Sequence, residues 1–416
     1  MTEVAAWPAA DLERRVLCAL DFAAAAVADF GETGYADPQR PALGFGPEKV
    51  VAEATMLAYA AHGASESRAV RDRIDVLAQQ LSPLVRSPRA LADMALNPDR
   101  VFRRAVPHVL LTALGHSDDV FDAFAAELAA RTLSHAVDQP ATVLAEHRWI
   151  SGVWGLPVPA TDEVDGTALT HPFDLLVGSR EDPYGLTHLL FYVTDFGRAV
   201  PDDRCRSRAA ILADVEALVL RYLEQGDYDL VGELLMAWPL LRAEWSPVAT
   251  FAFRVLAHVE DEVGILPCAN IDPDLLESLD GVERTRYARA ASYHTALVMG
   301  FLCGAALRGG APPRACAGPV FADEAWQTFR SMIGQHPGDW LPVLGRCEED
   351  EKRALVPMLC GLVTSQALRR QDFAAINEAV DAARRFGLPQ DPLQTAASDL
   401  LRALGTALDL GAQYEA

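Results

Sequence analysis

Apolar residues recur along nearly the whole chain at the spacing i, i+3, i+4, i+7, which places them on one face of an α-helix. Leu12, Val16 and Leu20 form the first clear stripe. A second stripe begins at Pro47, a residue type favoured in the first turn of a helix. The alternation of apolar and polar residues that is typical of β-strands is scarce. The sequence therefore predicts an all-α protein.

Short connections between successive stripes predict helical hairpins. One stripe ends at Gly226, and glycine favours the left-handed backbone conformation that terminates many helices. Asp227 can then cap the next helix through its side chain, and Pro239 bends or ends that helix. So short a connection makes the two helices antiparallel neighbours. We predict antiparallel hairpins in series that form an α/α toroid or barrel or, alternatively, an α-solenoid.

We expect one helical array over residues 1–416, because helical arrays of this length often form one unit. Two segments interrupt the pattern. Residues 135–172 are the least regular and predict a long functional loop or a subdomain junction. Residues 308–319 form a break rich in proline and glycine.

The formal net charge of −22 at pH 7 gives a surface that repels nucleic-acid phosphates. No cluster of basic residues with interleaved aromatic residues offsets it, which disfavours nucleic acid as a partner. We expect a small-molecule or peptide substrate that is neutral or cationic, or else a basic protein partner. Only two lysines, Lys49 and Lys352, stand beside many arginines, and this skew is typical of a high-GC bacterial source.

The seven cysteines are odd in number, widely spaced and without a CxxC pair. This pattern indicates neither a disulfide framework nor a clustered zinc motif. The first residues, MTEVAAWPAADLERR, lack the regions of a secretory signal, and no stretch of about 18 uncharged apolar residues appears. We expect a cytoplasmic protein that does not associate with membranes.

The segment Asp261–Pro267, with the sequence DEVGILP, resembles the helix-end turn of α/α-toroid proteins such as terpene cyclases and lanthionine-synthetase-like cyclases. The resemblance covers seven residues and implies a toroid architecture. The zinc-binding motifs of the lanthionine cyclases and the aspartate-rich motif of the terpene cyclases are not matched. The resemblance therefore transfers no catalytic residue to this chain.

Residues 181–197, EDPYGLTHLLFYVTDFG, carry the densest set of reactive side chains. Asp182 as a cap, Pro183 in the first turn and Gly197 past the end predict one helix of roughly four turns. Groups that can bind or transfer protons follow one face of this helix at i, i+4, i+8 and i+11: Tyr184, His188, Tyr192 and Asp195. We take Tyr184 as a candidate substrate-binding residue and the other three as candidate catalytic residues.

Asp195 is the unusual member of this set. A carboxylate in the last helical turn meets the negative end of the helix dipole, which costs about 0.3–1 kcal/mol. A hydrogen bond to Thr194 or to Arg198 is one compensation that the sequence offers. Orientation of an imidazole or of a bound cation is the other.

His294 lies in the strongly apolar segment ARAASYHTALVMGFLCGAAL, so its imidazole must be buried or face a cavity, and it needs a partner. It is either a satisfied core histidine or a catalytic acid or base beside His188. Its neighbour Tyr293 is a candidate substrate-binding residue. Gly300 and Gly304, four residues apart, allow another helix to approach closely.

A metal ion shared by His188, Asp195 and His294 would have suitable ligand types. His188 and Asp195, however, are seven residues apart on one predicted helix, roughly 10 Å along its axis. Joint coordination at that separation is difficult. We therefore predict neither a metal nor another cofactor.

Three carboxylates stand inside apolar runs. Glu53 can pair with Lys49 at i, i+4, and Asp229 falls in a first turn, where the helix dipole favours it. Glu233 has apolar neighbours that indicate partial burial and a raised pKa. It is a candidate substrate-binding residue or, alternatively, a salt-bridged glutamate.

Two aromatic residues of the irregular segment, Trp149 and Trp154, are further candidates for substrate binding. They can cover a pocket or stack on a ligand, and they can equally close the end of a helical barrel. The sequence has no Walker A loop, GxGxxG fingerprint, GxSxG elbow or HExxH helix. This disfavours nucleotide hydrolysis, dinucleotide redox chemistry, serine hydrolysis and standard zinc proteolysis.

Two functions remain open. The first is a cofactor-independent enzyme of bacterial specialised metabolism that uses proton transfer to cyclise, eliminate or isomerise a substrate in a central cavity. The second is a non-catalytic helical-repeat protein that binds a peptide or protein partner. We favour the enzyme, because His and Tyr buried together exceed what packing requires. Convergence of His188 and His294 on one pocket would support it.

Overall fold

The computed structural model describes residues 6–29, 35, 46–97, 100–133, 140–157, 164–176, 178–201, 204–269, 271–310, 312–314, 318–334 and 338–414. Most of these residues are helical, and they contain no β-strand. An isolated antiparallel bridge joins Ala6 to Arg314. The predicted all-α class is confirmed, whereas closure into a toroid stays a prediction.

The described helices are numbered in chain order. They are α1 (Ala9–Asp29), α2 (Pro47–Ala61), α3 (Arg68–Val85), α4 (Pro88–Leu96), α5 (Val101–Ala113), α6 (Asp119–Leu133), α7 (Ala141–Trp154), α8 (Glu181–Val193), α9 (Arg208–Glu224), α10 (Tyr228–Leu235), α11 (Ala237–Leu240), α12 (Pro247–Val263), α13 (Pro273–Ser278), α14 (Gly281–Gly309), α15 (Asp323–Met332), α16 (Trp340–Gly345), α17 (Glu349–Ala354), α18 (Val356–Arg370), α19 (Phe373–Arg385) and α20 (Pro392–Tyr414).

The connection between α9 and α10 follows the sequence prediction. Gly226 adopts a left-handed conformation with φ +67°, and the Asp227 side chain accepts a hydrogen bond from the backbone N–H of Leu230. Because only three residues separate the two helices, α10 folds back against α9. The predicted hairpin is confirmed, and it directs the buried face of α10 towards the centre of the protein.

Helix α14 is the longest described helix and packs against α1, α2 and α10. A methyl group on Gly300 would lie 2.4 Å from Cβ of Ala19 in α1 and 3.0 Å from Leu57 in α2. On another face, a methyl group on Gly232 of α10 would lie 2.5 Å from Val298 of α14. The close approach predicted at Gly300 is therefore confirmed, and small residues bring α1, α2 and α10 tightly around α14.

The segment 135–172 is more regular than predicted, because it contains the 14-residue helix α7. Ala145, Trp149 and Ile150 are buried at helical spacing, and the left-handed Gly155 ends the helix. The prediction of a long loop is wrong for 141–154, since the Gly and Pro residues that suggested it lie mainly after this stretch. Residues 134–139 and 158–163 lie outside the described residues.

At the second predicted break, α14 ends with Gly310 in a left-handed conformation, φ +61°. Residues 311 and 315–317 of this segment lie outside the described residues.

One described helix, α14, is long and apolar enough to cross a membrane, although no such stretch was expected from the sequence. However, 83% of its most apolar window is buried inside the protein. This is the pattern of a core helix.

Candidate functional site

A cavity of about 2050 Å³ is lined chiefly by α2, α4, α5, α8, α10 and α14. Its exposed lining residues include three arginines, Arg89, Arg100 and Arg103, and they indicate where the cavity meets solvent. Its interior wall carries the buried carboxylates of Asp229 and Glu233 and the partly exposed imidazoles of His188 and His294 instead. The cavity therefore has a basic opening and a polar, acidic interior.

The interior wall holds a group that we call the His294 cluster: Glu53 of α2, Asp229 and Glu233 of α10, and His294 of α14. Nε2 of His294 lies 3.1 Å from Oε1 of Glu233 and 3.6 Å from Oδ1 of Asp229. On the other side of the ring, Nδ1 lies 3.2 Å from Oε2 of Glu53. His294 lies deep in the protein, yet 26% of its side-chain surface stays accessible because it lines the cavity.

Neighbouring hydroxyl groups fix the two carboxylates of α10. The Tyr184 hydroxyl donates to Oδ2 of Asp229, and the Thr187 hydroxyl donates to Oε2 of Glu233 at 2.5 Å. Thr295 donates a longer hydrogen bond, 3.3 Å, to Oδ1 of Asp229. Each carboxylate therefore has one oxygen held by a residue of α8 and its other oxygen turned towards His294.

Burial and charge shift the pKa values of these groups in different directions. Burial alone would lower the pKa of His294, but Asp229 and Glu53 raise it well above its usual value. Burial, together with the nearby charge of Glu233, raises the pKa of Asp229. Burial alone would also raise the pKa of Glu233, but His294 and His188 lower it. The raised pKa predicted for Glu233 is therefore wrong. The apolar sequence around Glu233 could not show that two imidazoles lie near its carboxylate in the folded protein.

Helix α8 begins at Glu181, and three of the four predicted stripe residues, Tyr184, His188 and Tyr192, line the cavity. Neither ring nitrogen of His188 forms a hydrogen bond with a described residue, and its ring lies between those of Tyr184 and Tyr192, with centroids 6.1 and 6.4 Å away. The Tyr192 hydroxyl lies 3.4 Å from Oε1 of Glu146, and burial raises the pKa of both groups. His188 and His294 thus line the same cavity, His188 accessible and His294 held by carboxylates.

The model of the protein family DUF6895, described as a domain of unknown function, matches residues 17–304. The chain belongs to this family. No curated protein and no solved structure matched the chain. The DUF6895 region contains the whole His294 cluster and all of α8, whereas α15 to α20 follow it.

In this DUF6895 protein, Asp195 lies outside α8, which ends at Val193. Asp195 and Phe196 have φ values of +45° and +51°, and Phe196 is buried against Phe191 and Phe301. Burial of the Phe196 ring draws the backbone out of the helix before Asp195. The prediction of Asp195 in the last helical turn is therefore wrong.

Asp195 also has partners that the sequence did not predict. Its carboxylate accepts hydrogen bonds from the Tyr59 hydroxyl at 2.9 Å and from Nε1 of Trp149 at 2.8 Å. The predicted partner Arg198 forms a longer ion pair with the carboxylate, at 4.0 Å, and donates to the backbone carbonyl of Asp195 at 3.2 Å. Asp195 does not line the cavity among the described residues. The metal set of His188, Asp195 and His294 is consequently not assembled in the described part of the protein.

The remaining predicted aromatic residues lie behind the cavity wall. Trp149 stacks on Tyr192, with centroids 5.2 Å apart, and supports it from outside the cavity. Tyr293 is fully buried and donates a hydrogen bond to the carbonyl of Val50 at 2.7 Å. Trp154 donates to Asp122 at 2.7 Å on the far side of α7. Trp149, Tyr293 and Trp154 therefore contact other parts of the protein, and none of the three lines the cavity.

The association of Glu53 and Asp229 with His294 was not predicted from the sequence, and Glu146 was not among the candidates. Glu53 was paired with Lys49, whose Nζ does lie 3.6 Å from Oε1 of Glu53, and Asp229 was explained by the helix dipole. The signal that could have found them is the position of each carboxylate in an otherwise apolar stretch. Such a group needs a buried partner, and a lone histidine in another apolar helix is a suitable one.

Proposed function

We propose that this chain is an enzyme that acts on a small molecule in the central cavity by proton transfer, in a cyclisation, elimination or isomerisation. The observation that carries this proposal is the presence of two imidazoles, those of His188 and His294, in the lining of one cavity. An imidazole can accept or donate a proton, which suits it to general acid–base catalysis.

His188 is the residue that we assign to proton transfer with the substrate. Its ring nitrogens are not engaged by described residues, so they are available to a bound molecule. Tyr192 and Glu146 form a hydrogen-bonded pair beside it, and burial raises the pKa of Glu146, which favours its protonated form. The pair can supply a proton while His188 removes one.

The charge of the cavity supports a neutral or cationic substrate. Glu53, Asp229 and Glu233 face the interior around His294, and a cationic group on a substrate would offset their negative charge. We place the activity in the cytoplasm, because the described cysteines form no disulfide, as is usual in reducing compartments.

A binding protein without catalytic activity is the second candidate, and the cavity volume favours it. Pockets for drug-sized molecules usually measure about 300–1,000 Å³, and this cavity of about 2050 Å³ is larger. A volume of this size can hold a peptide segment.

The test is incubation of the purified protein with a metabolite extract from source cells that lack the gene, followed by mass spectrometry. We expect the wild-type protein to deplete at least one metabolite. His188→Gln should slow this depletion by about 10²–10⁴-fold, the usual contribution of a catalytic acid or base. His171→Gln is the matched control, because His171 is exposed and absent from the cavity lining.

Each variant is first checked for a native circular dichroism spectrum and an unchanged unfolding transition. Depletion by His188→Gln at the wild-type rate would contradict the proposed role. Retention of a metabolite or peptide without its conversion would instead support the binding protein.

A further inference from the structure

Three potential metal ligands converge on the wall of the cavity. Asp229, Glu233 and His294 each offer one ligand atom, and these atoms lie within 4.8 Å of one another. Atoms that bind one ion at 2.0–2.2 Å lie about 3–4 Å apart. The observed separations from Nε2 of His294, 3.1 Å to Glu233 and 3.6 Å to Asp229, fall in this range.

The surrounding hydrogen bonds orient both carboxylates for such a role. The Tyr184 hydroxyl donates to Oδ2 of Asp229, and the Thr187 hydroxyl donates to Oε2 of Glu233. Oδ1 of Asp229 and Oε1 of Glu233 are therefore the oxygens directed at Nε2 of His294. In metal sites, ligating carboxylates are commonly fixed by hydrogen bonds of this kind.

Glu53 supplies an independent indication on the opposite edge of the imidazole. Its Oε2 atom and Nδ1 of His294 are both buried and 3.2 Å apart, yet neither forms a hydrogen bond of normal geometry. A cation on Nε2 would fix the ring proton on Nδ1, where it can be donated to Glu53 after a small rotation of the ring. A histidine that binds a metal usually donates its other N–H to a carboxylate or carbonyl in this way.

The acidic character of the cluster also favours a cation. Three carboxylates surround one imidazole, and the side chains of Glu233 and Asp229 are only 2% and 9% exposed. The imidazolium of His294 balances one negative charge, and a bound cation would stabilise further ionised carboxylates beside it. Lys49 approaches only Glu53 and is itself 45% exposed.

We propose that Asp229, Glu233 and His294 bind one divalent transition-metal ion, such as Mn²⁺, Fe²⁺ or Zn²⁺, with Glu53 orienting the imidazole. One nitrogen and two carboxylate oxygens suit this class of ion. The accessible face of His294 lies towards the cavity, so the remaining coordination positions are open to water or to a substrate. The site differs from the set that the sequence suggested, because two ligands at i and i+4 on α10 replace His188 and Asp195.

The inference goes beyond the proposed function, because metal binding can be measured without a substrate. His188 is not a ligand, so His188→Gln should retain full metal affinity whatever its effect on turnover. Failure of the acid–base proposal therefore leaves metal binding intact. Absence of metal binding, in turn, leaves the role of His188 open to its own test.

The experiment uses tag-free, full-length protein stripped with a chelator and titrated with Co²⁺, whose visible absorption reports bound ion, followed by competition with Zn²⁺ and Mn²⁺. We expect one tight site per chain. Glu233→Gln and His294→Gln should each weaken Co²⁺ binding by more than about 100-fold, since loss of a residue that only orients a ligand already costs about 10–100-fold. Glu53→Gln should weaken it by about 10–100-fold and leave the stoichiometry at one ion.

Asp122→Asn is the matched control, because Asp122 also contacts a buried histidine, His108 at 3.2 Å, but lies away from the cavity lining. It should bind Co²⁺ as the wild type does. If Glu233→Gln fails to fold, Glu233→Asp is the second variant. It keeps the negative charge, but its shorter side chain places the carboxylate oxygen farther from the metal position. Equal Co²⁺ affinity in the wild type, Glu233→Asp and His294→Gln, or no uptake of one ion by the wild type, would overturn the proposal.

Discussion

Two histidines of this protein lie beside carboxylates, and their pKa values are shifted in opposite directions. His294 is surrounded by carboxylates that favour its protonated form. His108 in α5 is fully buried, and its Nδ1 accepts a hydrogen bond from Nε of Arg86 at 3.1 Å. Its Nε2 must therefore carry the proton, which it donates to Asp122 at 3.2 Å. This arrangement holds His108 neutral, and burial lowers its pKa below the usual value.

His108 should make the protein less stable in mild acid. Because the folded pKa is lowered, the folded state binds fewer protons than the unfolded state once the pH falls below about 6.5. The free energy of unfolding then decreases with falling pH, by at most about 1.4 kcal/mol per pH unit from this one group. The measurement is urea unfolding between pH 5 and pH 7.5.

In His108→Gln this contribution to the pH dependence should disappear, although overall stability falls by about 1–3 kcal/mol as the buried network is disturbed. His171→Gln, at an exposed position, should keep the wild-type slope. An unchanged slope in His108→Gln would show that another group causes the acid sensitivity.

At the level of single residues, the sequence indicated which polar groups need partners but not which partners they have. His294 and Glu233 were identifiable because each stands in an apolar run. Their contact depends on how α10 and α14 pack, and Glu53 joins them from a helix that is distant in the chain. Asp195 was misplaced because burial of Phe196, a tertiary effect, ends α8 early.

At the level of elements, strong periodicity and end signals made the helices predictable. Gly226 and Asp227 define the α9–α10 hairpin in the sequence as they do in the structure. Helix α7 was missed because its flanks are rich in Pro and Gly, which masked a short periodic stretch. How the hairpins are arranged around α14 follows from contacts between distant helices, and local patterns do not encode these contacts.

The packing of α14 gives a test at this scale. Gly300→Ala should lower the free energy of unfolding by about 1–3 kcal/mol, which is the usual cost of overpacking a core. The new methyl group would meet Cβ of Ala19, and that atom cannot rotate away. Gly152→Ala in α7 is the control, because a methyl group there would meet no atom within 4 Å apart from its own stretch of helix. Alanine at that position should stabilise the protein by up to about 1 kcal/mol. Chemical denaturation measures both, and a Gly300→Ala protein as stable as Gly152→Ala would contradict the close packing.

For the molecule as a whole, the net charge of −22 is the dominant electrostatic property. Like charges on one surface repel, and this repulsion favours the expanded, unfolded chain. Some carboxylates are paired, as Asp29 is with Arg289 at 2.6 Å. Others, such as Glu277 and Glu378, are exposed and form no ion pair with a described residue.

Stability should therefore rise with salt. Raising NaCl from about 0.01 M to 0.1 M shortens the screening length from about 30 Å to 10 Å, which weakens long-range repulsion more than close ion pairs. We expect a higher Tm at the higher salt concentration, and a smaller increase in the double variant Glu277→Gln, Glu378→Gln. Differential scanning calorimetry is the measurement, and a Tm that falls with salt would mean that attractive pairs dominate.

The packing of α1 along α14 also has a consequence for synthesis of the protein. About 250 residues of chain separate the two helices. At about 5–20 residues per second, a ribosome needs about 12–50 s to deliver α14 after α1 has emerged. Until then, Leu12, Val16 and Leu20, which are buried in the finished protein, have no α14 to pack against. Helices α2 and α3 can cover part of this stripe earlier, and its burial is complete only when α14 arrives.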